Sequence, residues 1–205
     1  MFDGIFNPAF LQSACAHATP TPPVEENEIV LGIRTKPNYF PVLLSCTGEI
    51  IVSYVADGEQ QTKTFTDLSQ SALTGVIPDA NTNVKITGDV TYFTCDGPAT
   101  ACLVSCDFSK CKTLTAIETF TGHWITSLIM PNDDTLMTQC DEIELESVNT
   151  IKCKADNQTV CNAIAAAISY ATGTGKLYTD SAGAYYSTLE TAATAKGWTI
   201  EQLPA

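Results

Sequence analysis

The chain has 205 residues, 44% hydrophobic and 16% charged, enough to bury a core in one large or two small domains. Its 10 Lys and Arg against 23 Asp and Glu give a formal charge of −13, which argues against nucleic acid or an anionic membrane as a partner. Nine Cys, an odd number, cannot all pair within the chain.

Residues 1–27 read as an N-terminal arm. Phe2, Ile5, Phe6, Phe10 and Leu11 are apolar without helical or strand period, as in an anchor that orders on a partner. Thr19-Pro-Thr-Pro-Pro23 is a stiff, extended spacer. The start, Met1-Phe-Asp-Gly, has no basic n-region and no long apolar h-region, so no export signal is expected. No apolar run reaches the roughly 18 residues of a membrane span. The Cys are therefore expected to be reduced, buried apolar groups.

Residues 28–83 read as a small antiparallel β-sandwich. Strands are expected at Ile29–Ile33, Phe40–Cys46, Ile50–Val55, Thr62–Thr66 and Val76–Asp79, with Val84–Ile86 completing the set and a hairpin at Asp57-Gly58. The β-branched strand ending in Ala56-Asp57-Gly58 is similar to immunoglobulin-like domains of the polycystic-kidney-repeat kind, though their Trp and first Gly are absent here.

Residues 84–205 carry a repeat. Leu103 and Ile125, Cys106 and Leu128, Phe108 and Met130, and Leu114 and Leu136 are each 22 positions apart (125 − 103 = 22). Stacked turns of such a coil would share one core, to which Ile117 also belongs. The pattern apolar-x-x-apolar recurs from Val90, Leu114, Leu136 and Val148, and decays toward the end: Gln139 stands where an aliphatic is expected, and the last copy is only 12 positions on. From residue 155 the period turns helical. Asp156 or Asn157 would cap a helix running to Ala171, and a second would run from Tyr185 to Lys196 and stop at Gly197. Strands are expected at Gly175–Thr179 and Trp198–Ile200, and the helices would seal the coil's end as a cap.

The run Leu103-x-Ser-Cys-Asp-Phe-Ser-x-Cys-x-x-Leu-Thr-x-Ile117 resembles the short leucine-rich repeats of gut Bacteroidales surface proteins. Val84–Cys95 looks like the strand that opens those coils, and Tyr186–Ile200 is similar to their closing motif. The resemblance implies an α+β chain: a small antiparallel sandwich, then a short leucine-rich-repeat solenoid with a C-terminal helical cap. It also implies adhesion rather than catalysis. Such modules occur in virion proteins of crAss-like tailed phages, so a head fibre or capsid decoration subunit is expected, made in the host cytoplasm. Its arm would dock on capsid or other virion proteins. A homo-oligomer, dimer or trimer, is expected, with host or mucus glycans as ligands of Tyr92, Trp124 and Tyr178; Tyr185 and Tyr186 are further aromatic candidates. The alternative is a bacterial surface adhesin.

No cofactor is implied. Cys95, Cys102, Cys106 and Cys111 are spaced 7, 4 and 5 apart and lack the paired C-x-x-C of a zinc site. His17 and His123 flank no recognisable nucleophile, and Gly173-Thr-Gly-Thr-Gly-Lys176 lacks phosphate-loop spacing. Asp133, Asp134, Asp141, Glu142, Glu144 and Glu146 form the densest acidic cluster, read as a solvated rim.

Overall fold

The structure, a computed structural model, describes residues 27–204. Phe2, Ile5, Phe6, Phe10 and Leu11 of the expected arm lie outside them, as do Cys15 and His17.

The chain weaves between two sheets. A nine-stranded sheet holds β1 (Glu28–Ile33), β3 (Glu49–Ala56), β4 (Glu59–Thr66), β6 (Asn83–Thr87), β8 (Leu103–Asp107), β10 (Ser127–Ile129), β13 (Thr150–Lys152), β14 (Lys176–Thr179) and β15 (Thr199–Gln202). A six-stranded sheet holds β2 (Val42–Cys46), β5 (Ser71–Ala72), β7 (Val90–Cys95), β9 (Ala116–Thr121), β11 (Gln139–Cys140) and β12 (Ile143–Glu144). From β7 onward the chain passes back and forth between the layers, with β11 and β12 consecutive in the smaller sheet. Where the next two strands of the smaller sheet would fall, two helices stand instead: α1 (Gln158–Tyr170) and α2 (Tyr186–Lys196).

This corrects the expected fold class. The molecule is mostly β, with two large mixed sheets and two short helices, not an antiparallel sandwich followed by a leucine-rich-repeat solenoid. In the larger sheet the order is β15-β14-β13-β10-β8-β1-β6-β3-β4. Strand β1 is antiparallel to both β6 and β8, and β2 is antiparallel to β7, so both sheets run across position 83. The reason is the open edge. Strands β8 and β7 begin the parallel ladders, and each needs a partner for its outer N–H and C=O groups. The earlier strands supply it. The helices do not seal the opposite edge: β15 ends the larger sheet, while α1 packs on β11 and β12, and α2 on α1 and β15.

The 22-residue spacing does set strand register. Cys106 pairs with Leu128 across β8 and β10, and Leu128 with Ile151 across β10 and β13. Leu177 and Ile200 continue this inward row. Leu103, Cys106, Phe108, Leu114, Ile117, Ile125, Leu128 and Met130 are all at most 1% exposed. Leu136 departs from the expected core at 51% exposed. The Asn157 amide donates to the carbonyls of Asp134 and Met137, at 2.8 and 2.9 Å. That holds Thr135–Leu136 as a turn, and Met137 is buried in place of Leu136. Ile151 follows Leu128, so Val148–Cys153 is the next rung of the larger sheet and not a decayed fourth copy. Val76–Asp79 is not a strand.

Both sheets close on one core. At its centre Phe93, Phe108 and Phe120 meet edge to face, with centroids 4.9, 5.8 and 6.4 Å apart. Truncating Phe108, fully buried, would cost about 3–5 kcal/mol. Asp57 and Gly58 have φ of 53° and 80°, the left-handed pair that a tight β3–β4 hairpin demands. In β9, Thr119 has φ of 42° at the bulge where β7 and β9 slip register, and Glu142 repeats the conformation one rung on, at φ 50°. The Thr119 hydroxyl donates to the Glu142 carboxylate at 3.1 Å.

Candidate binding surface

Because side chains alternate along a strand, every in-register row of the larger sheet faces either core or solvent. One outward row is Glu201, Tyr178, Lys152, Ile129, Asp107, Val30, Lys85, Ser53 and Thr62, one residue from each of the nine strands. The neighbouring row across the parallel strands is Thr199, Lys176, Thr150, Ser127 and Ser105, continued by Gly32 on β1. Eight steps of about 4.8 Å make this face about 38 Å long across its nine strands. Hydroxyls, one Tyr and paired charges populate it. Lys176 bonds Glu201 at 2.6 Å, and the Lys152 ammonium lies 5.4 Å from the centre of the Tyr178 ring.

Of the aromatic residues expected at a contact surface, Tyr178 stands on this face. Tyr92 belongs to the other sheet; its hydroxyl donates to Glu118 at 2.8 Å, and burial, then Glu118, raises its pKa. Trp124, 47% exposed, lies in the loop before β10 with the Arg34 guanidinium 4.0 Å over its ring. The three are spread over two sheets and a loop and form no common site. Tyr185 and Tyr186 pack partly against the core at the start of α2.

The cysteines sit inside. All eight described, including Cys95, Cys102, Cys106 and Cys111, are free and buried. Burial pushes Cys102 up to about 11 and Cys140 and Cys161 up to about 12, so the thiolate needed for nucleophilic or ligand chemistry is strongly disfavoured at neutral pH. Among the described residues no three His, Cys, Asp or Glu side chains are grouped so as to hold a metal ion. The acidic cluster is not a uniform rim. Asp134 is buried at 3% exposure, whereas Asp141, Glu142 and Glu144 are exposed. His123 Nδ1 donates to the Glu146 carboxylate at 2.8 Å, beside a hollow of about 470 Å³ that Asp96, Thr121 and Tyr170 also line.

Sequence reasoning passed over the lysines. Lys85, Lys110, Lys112, Lys152 and Lys154 surround two adjoining hollows at the carboxyl ends of β8, β10 and β13. The signal was present: the tripeptide Lys-Cys-Lys occurs at 110–112 and again at 152–154. No family model, no curated protein and no solved structure matches the chain.

Proposed function

We propose that this chain is a structural subunit of a tailed-phage particle, a head fibre or capsid decoration protein, that presents its nine-stranded sheet as an adhesive face. The observation that carries the adhesive part is the unbroken outward row across nine strands, about 38 Å long, with a second row beside it over six of them. A surface of that length, with a regular spacing of hydroxyls and an aromatic ring, suits an extended ligand such as a glycan chain. The link to phage particles comes from the likeness of Leu103–Ile117 to repeats found in their virion proteins. Residues 1–27 would dock on the shell, and repetition of the subunit around the particle would turn weak glycan contacts into avidity.

Cross-linking mass spectrometry on purified particles containing the chain tests the particle role. Links between residues 1–27 and a shell protein are expected; recovery of the chain only from bacterial envelopes would refute it. A glycan array tests the face. Tyr178→Ala combined with Thr150→Ala should weaken capture at least tenfold, and unchanged capture would move the adhesive surface elsewhere.

A further inference from the structure

Half of the chain's ten cations surround one depression. Lys85 comes from β6, Lys110 and Lys112 from the loop after β8, and Lys152 and Lys154 from the end of β13 and the residues after it. They line hollows of about 670 and 250 Å³ that share Ser109 and Asn132. Three carboxylates, Glu28, Asp107 and Asp133, line the same space. Among the described residues five cations thus line this space with three carboxylates, while the remainder carry five against seventeen (10 less 5; 23 less Asp3, Glu25 and Glu26, less 3).

The local cause is the repeated Lys-Cys-Lys. Cys111 and Cys153 are buried, at 1% and 2% exposure. An ammonium cannot follow its neighbour inward without a large desolvation cost, so each buried Cys leaves two lysines at the surface. The parallel ladder then brings the two tripeptides, 42 positions apart (152 − 110 = 42), to the same end of the sheet.

Glu28 shows what this space accepts. Its carboxylate pairs with both Lys85 and Lys110, and the hydrogen bond from Lys85 chiefly lowers its pKa. Ammonium groups act as point charges that can gather around a tetrahedral oxyanion, whereas a planar carboxylate is matched best by the guanidinium fork. Among the described residues no Arg and no aromatic ring lines either hollow, so these offer nucleobases no stacking platform.

We propose that this depression binds a phosphate or sulfate group through Lys110, Lys112, Lys152 and Lys154, in competition with Glu28 for the lysines on its side. The site borders the sheet face and shares Lys85 and Lys152 with its outward row, but the proposal does not rest on the adhesive reading. Calorimetric titration of the full chain with sodium sulfate and sodium phosphate, each against sodium chloride at matched ionic strength, tests it. Saturable binding of the oxyanions is expected. Lys110→Gln with Lys112→Gln, or Lys152→Gln with Lys154→Gln, should weaken it at least tenfold, while Lys36→Gln with Lys63→Gln leaves it unchanged. Glu28→Gln should tighten it several-fold, a change that misfolding cannot imitate. Equal heats for sulfate and chloride, equal loss in the Lys36 and Lys63 variant, or no tightening in Glu28→Gln overturns the site. Dextran sulfate, compared with neutral dextran, identifies the source: affinity per sulfate far above that of the free ion assigns the ligand as an ester on a polymer, and equal affinity assigns the free ion.

Discussion

Asp134 carries the least comfortable charge among the described residues. It is 3% exposed, and its Oδ2 has no hydrogen-bond partner among the described residues. Burial, aided by Asp156 and Asp133 and opposed by Lys154, raises its pKa. A carboxyl whose folded pKa lies above its unfolded value stabilises the fold below that unfolded value, near 3.8, and the contribution is lost as pH rises through the folded one. Asp134→Asn keeps the shape and removes the charge. It should therefore raise stability at pH 7 by about 1–3 kcal/mol and change it little at pH 3, read as the urea midpoint at each pH. An Asn variant less stable at pH 7 would mean that the carboxylate has a partner.

At the scale of elements, α1 and the β10–β11 connection are one unit. The Asn157 Oδ1 accepts from the Val160 N–H at 3.2 Å and caps the helix, while its amide ties down the carbonyls of Asp134 and Met137. Helix propensity alone ranks Asp as good a cap as Asn. Here Asp would keep the cap and put a carboxylate against two carbonyls. Both Asn157→Ala and Asn157→Asp should cost about 2–4 kcal/mol in urea unfolding, where capping by itself would make the Asp variant neutral. The cap itself was readable from the sequence, because a side-chain acceptor three residues before an N–H is a local relation. The amide's contacts were not, since they join Asn157 to residues 23 and 20 positions away (157 − 134, 157 − 137). Leu136 was misplaced for the same reason: a 22-residue period assigns it to the core, and a contact from outside the repeat turns it out.

For the whole molecule, the sharing of sheets across position 83 has a mechanical consequence. Strand β1 lies between β6 and β8, and Ile29, Leu31, Val42 and Leu44 are fully buried in the common core. Each such side chain contributes about 1.5–3 kcal/mol when buried. Residues 84–205 expressed alone would lose these four and open the edges of β7 and β8. That fragment is expected to lack a cooperative thermal transition, and residues 27–205 to unfold in a single one by both circular dichroism and Trp fluorescence. A cooperatively folding fragment would show that the parallel ladders stand without their antiparallel neighbours.

Most strands, the helix ends, the hairpin at Asp57-Gly58 and the register in which Cys106 meets Leu128 are legible along the chain. Each depends on spacing along the chain, through side-chain alternation, capping or a fixed repeat length. Long-range packing sets which strands are neighbours, makes one core serve both halves, and brings Lys85 and Glu28 to the lysines of two later rungs. Pairing of strand edges is satisfied by any backbone that reaches them, so periodicity leaves the partner open, and the partner is settled by which arrangement covers both exposed edges with apolar surface already in the chain.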